Sequence, residues 1–159
     1  VQHADVAHML AEYGDADLLC YRAERPQGLI DRQAAAWDPL LDWAADALGA
    51  RLHPVTGVMH SAQDADALAR LTQQTHALTA FELAAFHDLV SLSGSLIIGF
   101  ATAKDHLSPE GAWAASRVDE IWQQEQWGVD EEAEEAEAVA NYTRGEFFHA
   151  KRFFDAARL

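Results

Sequence analysis

The chain is short of cations. Its 159 residues include 11 Lys and Arg against 26 Asp and Glu, a formal net charge of -15. Affinity for nucleic acid comes from Lys and Arg neutralising phosphates, so an excess of this sign disfavours nucleic acid and anionic membrane as partners. Cysteine is nearly absent as well. Cys20 stands alone, which excludes an internal disulfide and fits a reducing compartment. Its apolar neighbours mark it as a small buried hydrophobe rather than a nucleophile. No apolar run reaches bilayer length: the longest, Leu89 to Ala103, has no charged residue but falls about five residues short of a span. Its three serines and two glycines fit a central buried helix, and membrane insertion is not expected. The sequence starts at Val1 with neither an initiator Met nor a charged-then-apolar leader, so a processed chain or, by preference, a piece of a longer protein is expected.

What is present is helix-forming. Half of the residues are hydrophobic and 23% are charged, enough to bury a core, and the length suits one domain, residues 1–159. Ala recurs, β-branched runs are few, and alternating strand patterns are nearly absent. Val6, Leu10 and Tyr13 share a face of a first helix ending at Gly14. Leu18 to Arg22 suits strand or helix. From Gln27 to Leu48 the period is helical, with Pro39 expected to force a start or a kink and Asp38 available as its cap. Arg51 to His60 reads as loop or strand. Ser61 is expected to cap a helix carrying Ala65, Leu68, Leu71 and Leu78. The next helix runs from about Ala80 with Phe81, Ala84, Ala85, Leu89 and Leu92 on its apolar side. Ser91, Ser95, Gly99 and Ala103 then form a smooth ridge for helix packing. Ser108-Pro109-Glu110 is a strong helix start. The last helix, from Asp130 to near the C-terminus, places Phe147, Ala150 and Phe154 along one face. The expected fold is all-α, a compact antiparallel helical bundle. Its expected buried set is Trp37, Leu41, Trp43, Phe81, Leu89, Leu96, Ile97, Phe100, Val118, Trp122, Phe147 and Phe154.

The most distinctive stretch is Trp122-Gln-Gln-Glu-Gln-Trp127-Gly-Val-Asp130-Glu-Glu-Ala133. Gly128 can close one helix in a left-handed conformation, and Asp130 can cap the next. Between Arg117 and Arg144 lie nine acidic residues and no Lys or Arg. Carboxylates at a helix start favour its dipole, but like-charged neighbours at helical spacing, such as Glu131 with Glu134 and Glu135, or Glu134 with Glu137, repel. A basic partner would relieve that. Winding Ser108 to Trp127 as one helix puts Ala114, Val118, Ile121 and Trp122 on a core face. Trp113, Arg117, Glu120, Gln124 and Trp127 fall outward, a composition typical of binding hot spots, unless another helix of the bundle covers them, an alternative favoured for Trp113. Glu125 projects within the core stripe and would need a partner.

Eight histidines raise a metal-dependent helical-bundle enzyme as the alternative. Asp5-x-x-His8 and Glu146-x-x-His149 resemble di-iron ligand pairs, which require two such pairs and two further carboxylates. Only Glu146 with His149 is a good pair, so no metal and no cofactor are expected, and His87 and His149 suit surface or capping roles. Ser91-Leu-Ser-Gly-Ser95 is not a nucleophile elbow and no phosphate-binding loop occurs. No catalytic residue is assigned and no small-molecule substrate is expected.

Four blocks carry a resemblance. Leu18-Leu-Cys-Tyr-Arg-Ala-Glu24, Trp37-Asp-Pro-Leu-Leu-Asp-Trp43, Ser91-Leu-Ser-Gly-Ser-Leu-Ile-Ile-Gly99, and Ser116-Arg-Val-Asp-Glu120 continuing through Trp122 to Ala133 resemble the assembly chaperones that handle the alpha subunit of the F-type ATP synthase catalytic head. The likeness runs along nearly the whole chain in the same order. It implies a non-catalytic chaperone of mitochondria or related bacteria, here the bacterial cytoplasm by preference. It also implies a smaller β-rich N-terminal domain that this chain does not contain. Such a chaperone holds the unassembled alpha subunit, shields its beta-binding surface from aggregation, and yields it when beta arrives. The family's acidic and aromatic signature falls on Arg117, Asp119, Glu120, Gln123, Glu125, Trp127, Asp130, Glu131 and Glu132. These are the expected partner-binding residues, the carboxylates steering a basic surface and Trp127 anchoring it.

Overall fold

The structure, a computed structural model, describes residues 2–57, 61–128 and 131–158, with the side chain of Ala133 set aside. Among these residues the chain forms eight α-helices and two very short strands. The helices are α1 (Gln2–Ala11), α2 (Gln27–Ala47), α3 (Ala65–His76), α4 (Ala80–Ser93), α5 (Leu96–Ala103), α6 (Pro109–Ser116), α7 (Val118–Trp127) and α8 (Glu131–Ala157). The segment Leu18–Arg22 divides into a 3-10 turn, Leu18–Cys20, and strand β1 (Tyr21–Arg22), which pairs in parallel with β2 (Val55–Thr56).

At the centre lies α5, every residue of which is buried. Its start is built from a residue with no obvious sequence signal. The Asp17 carboxylate accepts hydrogen bonds from Leu19 N (3.0 Å), Ser95 Oγ (2.6 Å) and Ile97 N (3.0 Å). One fully buried acid thus satisfies free backbone donors of both the 3-10 turn and α5. Desolvation pushes its pKa up to about 6 despite these hydrogen bonds. Beside it Cys20 is buried, and desolvation pushes its thiol up to about 12, which keeps it unreactive.

Trp37 of α2 is fully buried and donates its indole N–H to Ala115 O of α6 (2.8 Å). This satisfies the polar edge of the ring that its burial would otherwise strand. At the other end of the molecule Lys151 of α8 is buried between Asp105 (2.7 Å) and Asp155 (2.5 Å). Arg158 donates to Ala103 O (2.8 Å). Lys151 and Arg158 therefore fasten the C-terminal end of the chain to the segment around Asp105.

Several expectations are corrected. The run Leu89 to Ala103 is two helices, because Gly94 adopts φ +76°, ψ 13° and ends α4, after which Ser95 caps α5 by accepting from Ile98 N. The ridge of Ser91, Ser95, Gly99 and Ala103 therefore does not exist. Ser61 is not the cap of α3; Asp64 is, accepting from Ala67 N (3.2 Å). Pro39 lies inside α2 and starts nothing, while Asp38 pairs with Arg22 (2.8 Å) instead of capping. Phe81 is exposed and so is Ala84; α4 buries Leu83, Ala85, Phe86, Leu89 and Val90. Phe81 sits in the first turn of α4, inside the Thr79–Glu82 capping box, where the end of the helix meets solvent. Trp43, Val118 and Trp122 are half-buried, Trp43 stacking on His106 at 4.8 Å. The other eight of the expected buried set are buried.

Candidate functional site

The stretch Ser108 to Trp127 is not one helix. α6 begins as the Ser-Pro-Glu signal requires, with Ser108 Oγ accepting from Gly111 N (3.0 Å). It stops at Ser116, and Arg117 (φ -118°, ψ 22°) separates it from α7. The break resets the helical phase. Trp113 is consequently buried against Phe147 and Ala114 is exposed, the reverse of the continuous winding, and Ile121 reaches the surface.

α7 is seated on α2 by an aromatic contact. The Trp122 ring lies over Gly28, where an added Cβ would come within 2.5 Å of Trp122 Cη2, so any larger residue would push against the ring. Arg32 of α2 lies over the same ring (5.1 Å) and pairs with Glu125. Gln33, buried in α2, accepts from Ala23 N (2.8 Å) and donates to Asp119 Oδ1 (2.7 Å). The side chain thus links β1's end to α7.

α8 is fastened to α7 by Glu137. Its carboxylate accepts from Gln124 Nε2 (2.8 Å) and from the Arg117 guanidinium (3.2 and 3.4 Å). The Gln124 hydrogen bond first, and Arg117 with it, hold this carboxyl below the usual Glu range.

Of the expected site residues, Arg117, Asp119 and Glu125 are therefore fasteners, tied to Glu137, Gln33 and Arg32. Glu125 is not in the core: it is about half-exposed and paired. Glu120, Gln123, Trp127, Glu131 and Glu132 are exposed and face outward. Asp130, with its expected capping role, lies outside the described residues. Gly128 closes α7 with φ +76° as expected, but its ψ of -171° belongs to an extended region reserved for glycine.

Trp127 ends α7 at 87% exposure and stands between two concavities. One, about 630 Å³, runs between α7 and the segment joining β1 to α2, walled by Tyr21, Arg25, Pro26 and Leu29 opposite Trp122, Gln123 and Trp127. The other, about 250 Å³, is bordered by Arg117, Glu120, Gln123, Gln124, Trp127 and Ala136. Sequence reasoning did not assign the first wall to the site, although Tyr21 lies in a block that carries the family resemblance. Glu137 likewise stands in the sequence only as one of nine acids and as a like-charged neighbour of Glu134.

Ion pairing consumes many of the cations: Arg22–Asp38, Arg32–Glu125, Arg51–Asp42, Arg117–Glu137 and Lys151 with Asp105 and Asp155. Among the described residues no ion pair reaches Glu120, Glu131, Glu132, Glu134 or Glu135. Glu120 thus borders the smaller concavity beside the exposed indole, and Glu131, Glu132, Glu134 and Glu135 stand near the start of α8, an arrangement that suits steering and anchoring of a basic protein surface. His8 meets Glu12 (3.4 Å) on an exposed helix face and His149 is exposed. Among the described residues no three His, Cys, Asp or Glu converge as a ligand group. No described helix is long and apolar enough to cross a membrane.

Comparison with known proteins adds independent findings. The family described as "ATP12 chaperone protein" matches residues 1–45. "Protein atp12, mitochondrial" of Schizosaccharomyces pombe is 32% identical over 116 residues, covering 67% of this chain and 38% of that protein. The crystal structure of ATP12 from Paracoccus denitrificans superposes with a TM-score of 0.94 at 44% identity, over 98% of this chain and 66% of the other. A structure from Agrobacterium tumefaciens gives 0.87 at 40% identity, over 99% and 57%. The chain thus spans about two fifths of the curated relative and two thirds or less of the solved ones.

Proposed function

The chain belongs to the ATP12 chaperone family, and from that membership we propose that it serves assembly of the proton-translocating ATP synthase catalytic head, holding an unassembled alpha subunit. In this reading it works without chemistry. The observation that carries the proposal is the outward indole of Trp127, set between two concavities, one of them bordered by Glu120, which has no ion pair. Leaving such a ring in water costs solvation that a partner's apolar surface would recover, on the order of 2 kcal/mol or more for a buried aromatic anchor.

The division of labour follows from the geometry. Glu120, Glu131 and Glu132 raise the rate at which a basic surface arrives, because exposed charges act through their field. Trp127 slows departure. Arg117, Glu137 and Gln124 keep the α7 and α8 parts of the surface in register. While bound, the chaperone shields the alpha subunit's beta-binding surface, and the beta subunit displaces it on arrival. The compartment is the bacterial cytoplasm or the mitochondrial matrix.

The test is capture from source-cell extract by the full-length chaperone, with the retained polypeptide identified by mass. Purified alpha subunit is then heated with and without the chaperone and light scattering recorded. Retention of alpha, suppression of its aggregation, and its release on adding beta are the expected results. An alpha subunit that neither binds nor is protected would overturn the reading.

A further inference from the structure

The smaller concavity beside Trp127, about 250 Å³, falls below the roughly 300–1,000 Å³ of a small-molecule pocket and suits one long side chain. Its lining is rich in acceptors. Glu120, Gln123, Gln124 and Trp127 border it, and their spacing puts all four on one face of α7. Gln124 turns its amide N–H towards Glu137 (2.8 Å), which leaves its carbonyl oxygen without a donor among the described residues. Glu120 has no ion pair among them, and Gln123 is exposed. Arg117, which also borders the space, is already matched by Glu137 (3.2 Å). The uncompensated charge on this lining is therefore one carboxylate.

We infer that this socket takes one arginine side chain of a partner protein, its guanidinium laid on the Trp127 indole and its N–H groups turned to Glu120 and the Gln124 carbonyl. Three observations select that occupant. The indole is 87% exposed, and an aromatic face with a carboxylate beside it attracts a cation. The acceptor excess calls for a group that only donates, as guanidinium and ammonium do. Trp127 also ends α7, whose last turn carries no basic residue, so the negative end of the helix dipole has no cation in its own last turn. Planarity then favours arginine over lysine, because a guanidinium stacks flat on a ring and is more weakly hydrated than an ammonium. The same chemistry already operates within the chain. Arg32 of α2 lies over the Trp122 ring of α7 (5.1 Å) while pairing with Glu125 of that helix. The socket offers the same pair of groups, an indole and a carboxylate of α7, with the arginine left to come from outside. The inference rests on the chaperone reading for which protein carries the arginine, and on the socket alone for its chemistry.

The test uses the full chain labelled with nitrogen-15 and three short capped peptides that differ at one position, holding arginine, lysine or citrulline, the uncharged isostere of arginine. The Trp127 indole N–H signal is identified by its loss in Trp127→Phe. The arginine peptide should shift that signal and the Gln123 and Gln124 side-chain amides. It should bind at least about fivefold more tightly than the citrulline peptide, with the lysine peptide between them. Glu120→Gln, an exposed substitution, should weaken the arginine peptide by a similar factor while the rest of the spectrum keeps the parent's pattern. Equal binding of the arginine and citrulline peptides, shifts confined to the start of α8, or undiminished binding by Glu120→Gln would overturn the inference. So would a lysine peptide that binds more tightly than the arginine one. Capture of purified alpha subunit by the full-length chaperone is measured separately and reads the chaperone proposal: lost capture with the peptide preference intact would remove the client and leave the socket.

Discussion

Single residues decide whether the surface exists at all. Gly28 leaves room for the Trp122 ring that seats α7 on α2. Gly28→Ala would improve helix propensity by about 0.5–1 kcal/mol, yet it drives a methyl into an aromatic ring at 2.5 Å, and overpacking of this kind costs about 1–3 kcal/mol. Net destabilisation in urea, with altered tryptophan fluorescence, is the expected outcome; a stabilised variant would show that the ring moves freely. Asp17 acts at the centre of the fold. Its folded pKa, about 6, exceeds the ordinary 3.8, so the native state holds a proton that the unfolded state has lost between those values. Its contribution to stability is therefore full below pH 3.8 and falls as pH rises to about 6, by roughly 3 kcal/mol from a two-unit shift. Asp17→Asn removes the titration and turns an acceptor into a donor facing backbone N–H groups. The variant should be less stable than the parent at pH 4.5, with the gap narrowing towards pH 7. A gap that widens instead would contradict the burial argument.

At the scale of elements, the latch between α7 and α8 is one carboxylate. Glu137→Ala removes the acceptor for both Gln124 and Arg117. Because the C-terminal half of α8 keeps its buried Phe147, Ala150 and Phe154, hydrogen exchange should quicken between Glu131 and Arg144 and stay unchanged beyond Phe147. Glu137 is held below its ordinary 4.5, so its contribution is present above that value and disappears as pH falls through the lowered one. Acid should then mimic the variant. Uniform acceleration along α8 would refute a local latch.

These same elements show what periodicity reveals. Ser108-Pro109-Glu110 and the Gly128 stop are local signals, and both are found in place. The break at Arg117 carries no glycine or proline. It is made by tertiary partners, the Trp37 indole taking Ala115 O and Glu137 drawing Arg117 across to α8, which no single window contains. That hidden break reversed Trp113 and Ala114. Gly94 was visible, but in an uncharged apolar run it did not distinguish a packed small residue from a helix stop. Asp17 was invisible because its three donors come from residues 19, 95 and 97, and a lone aspartate before an apolar segment reads as surface.

For the whole molecule, charge is distributed by consequence. Many cations are spent on ion pairs, leaving unpaired carboxylates at Glu120 beside Trp127 and along the start of α8. The acidic and aromatic signature was legible because it is contiguous in sequence; which members hold the fold and which face outward was not, since that depends on Arg32, Gln33 and Glu137 arriving from elsewhere. The central claim is that the outward members recognise a basic client surface, the charges acting on arrival and the indole on departure. Association and dissociation of full-length chaperone and purified alpha subunit, followed at several salt concentrations, test it most directly. Charge reversal at Glu120, Glu131 and Glu132 should slow association and flatten its salt dependence with dissociation little changed, while Trp127→Ala should speed dissociation by about thirtyfold for a loss of ~2 kcal/mol. If folded variants of both kinds keep the parent's two rates at every salt concentration, the α7–α8 junction is not the client's binding surface.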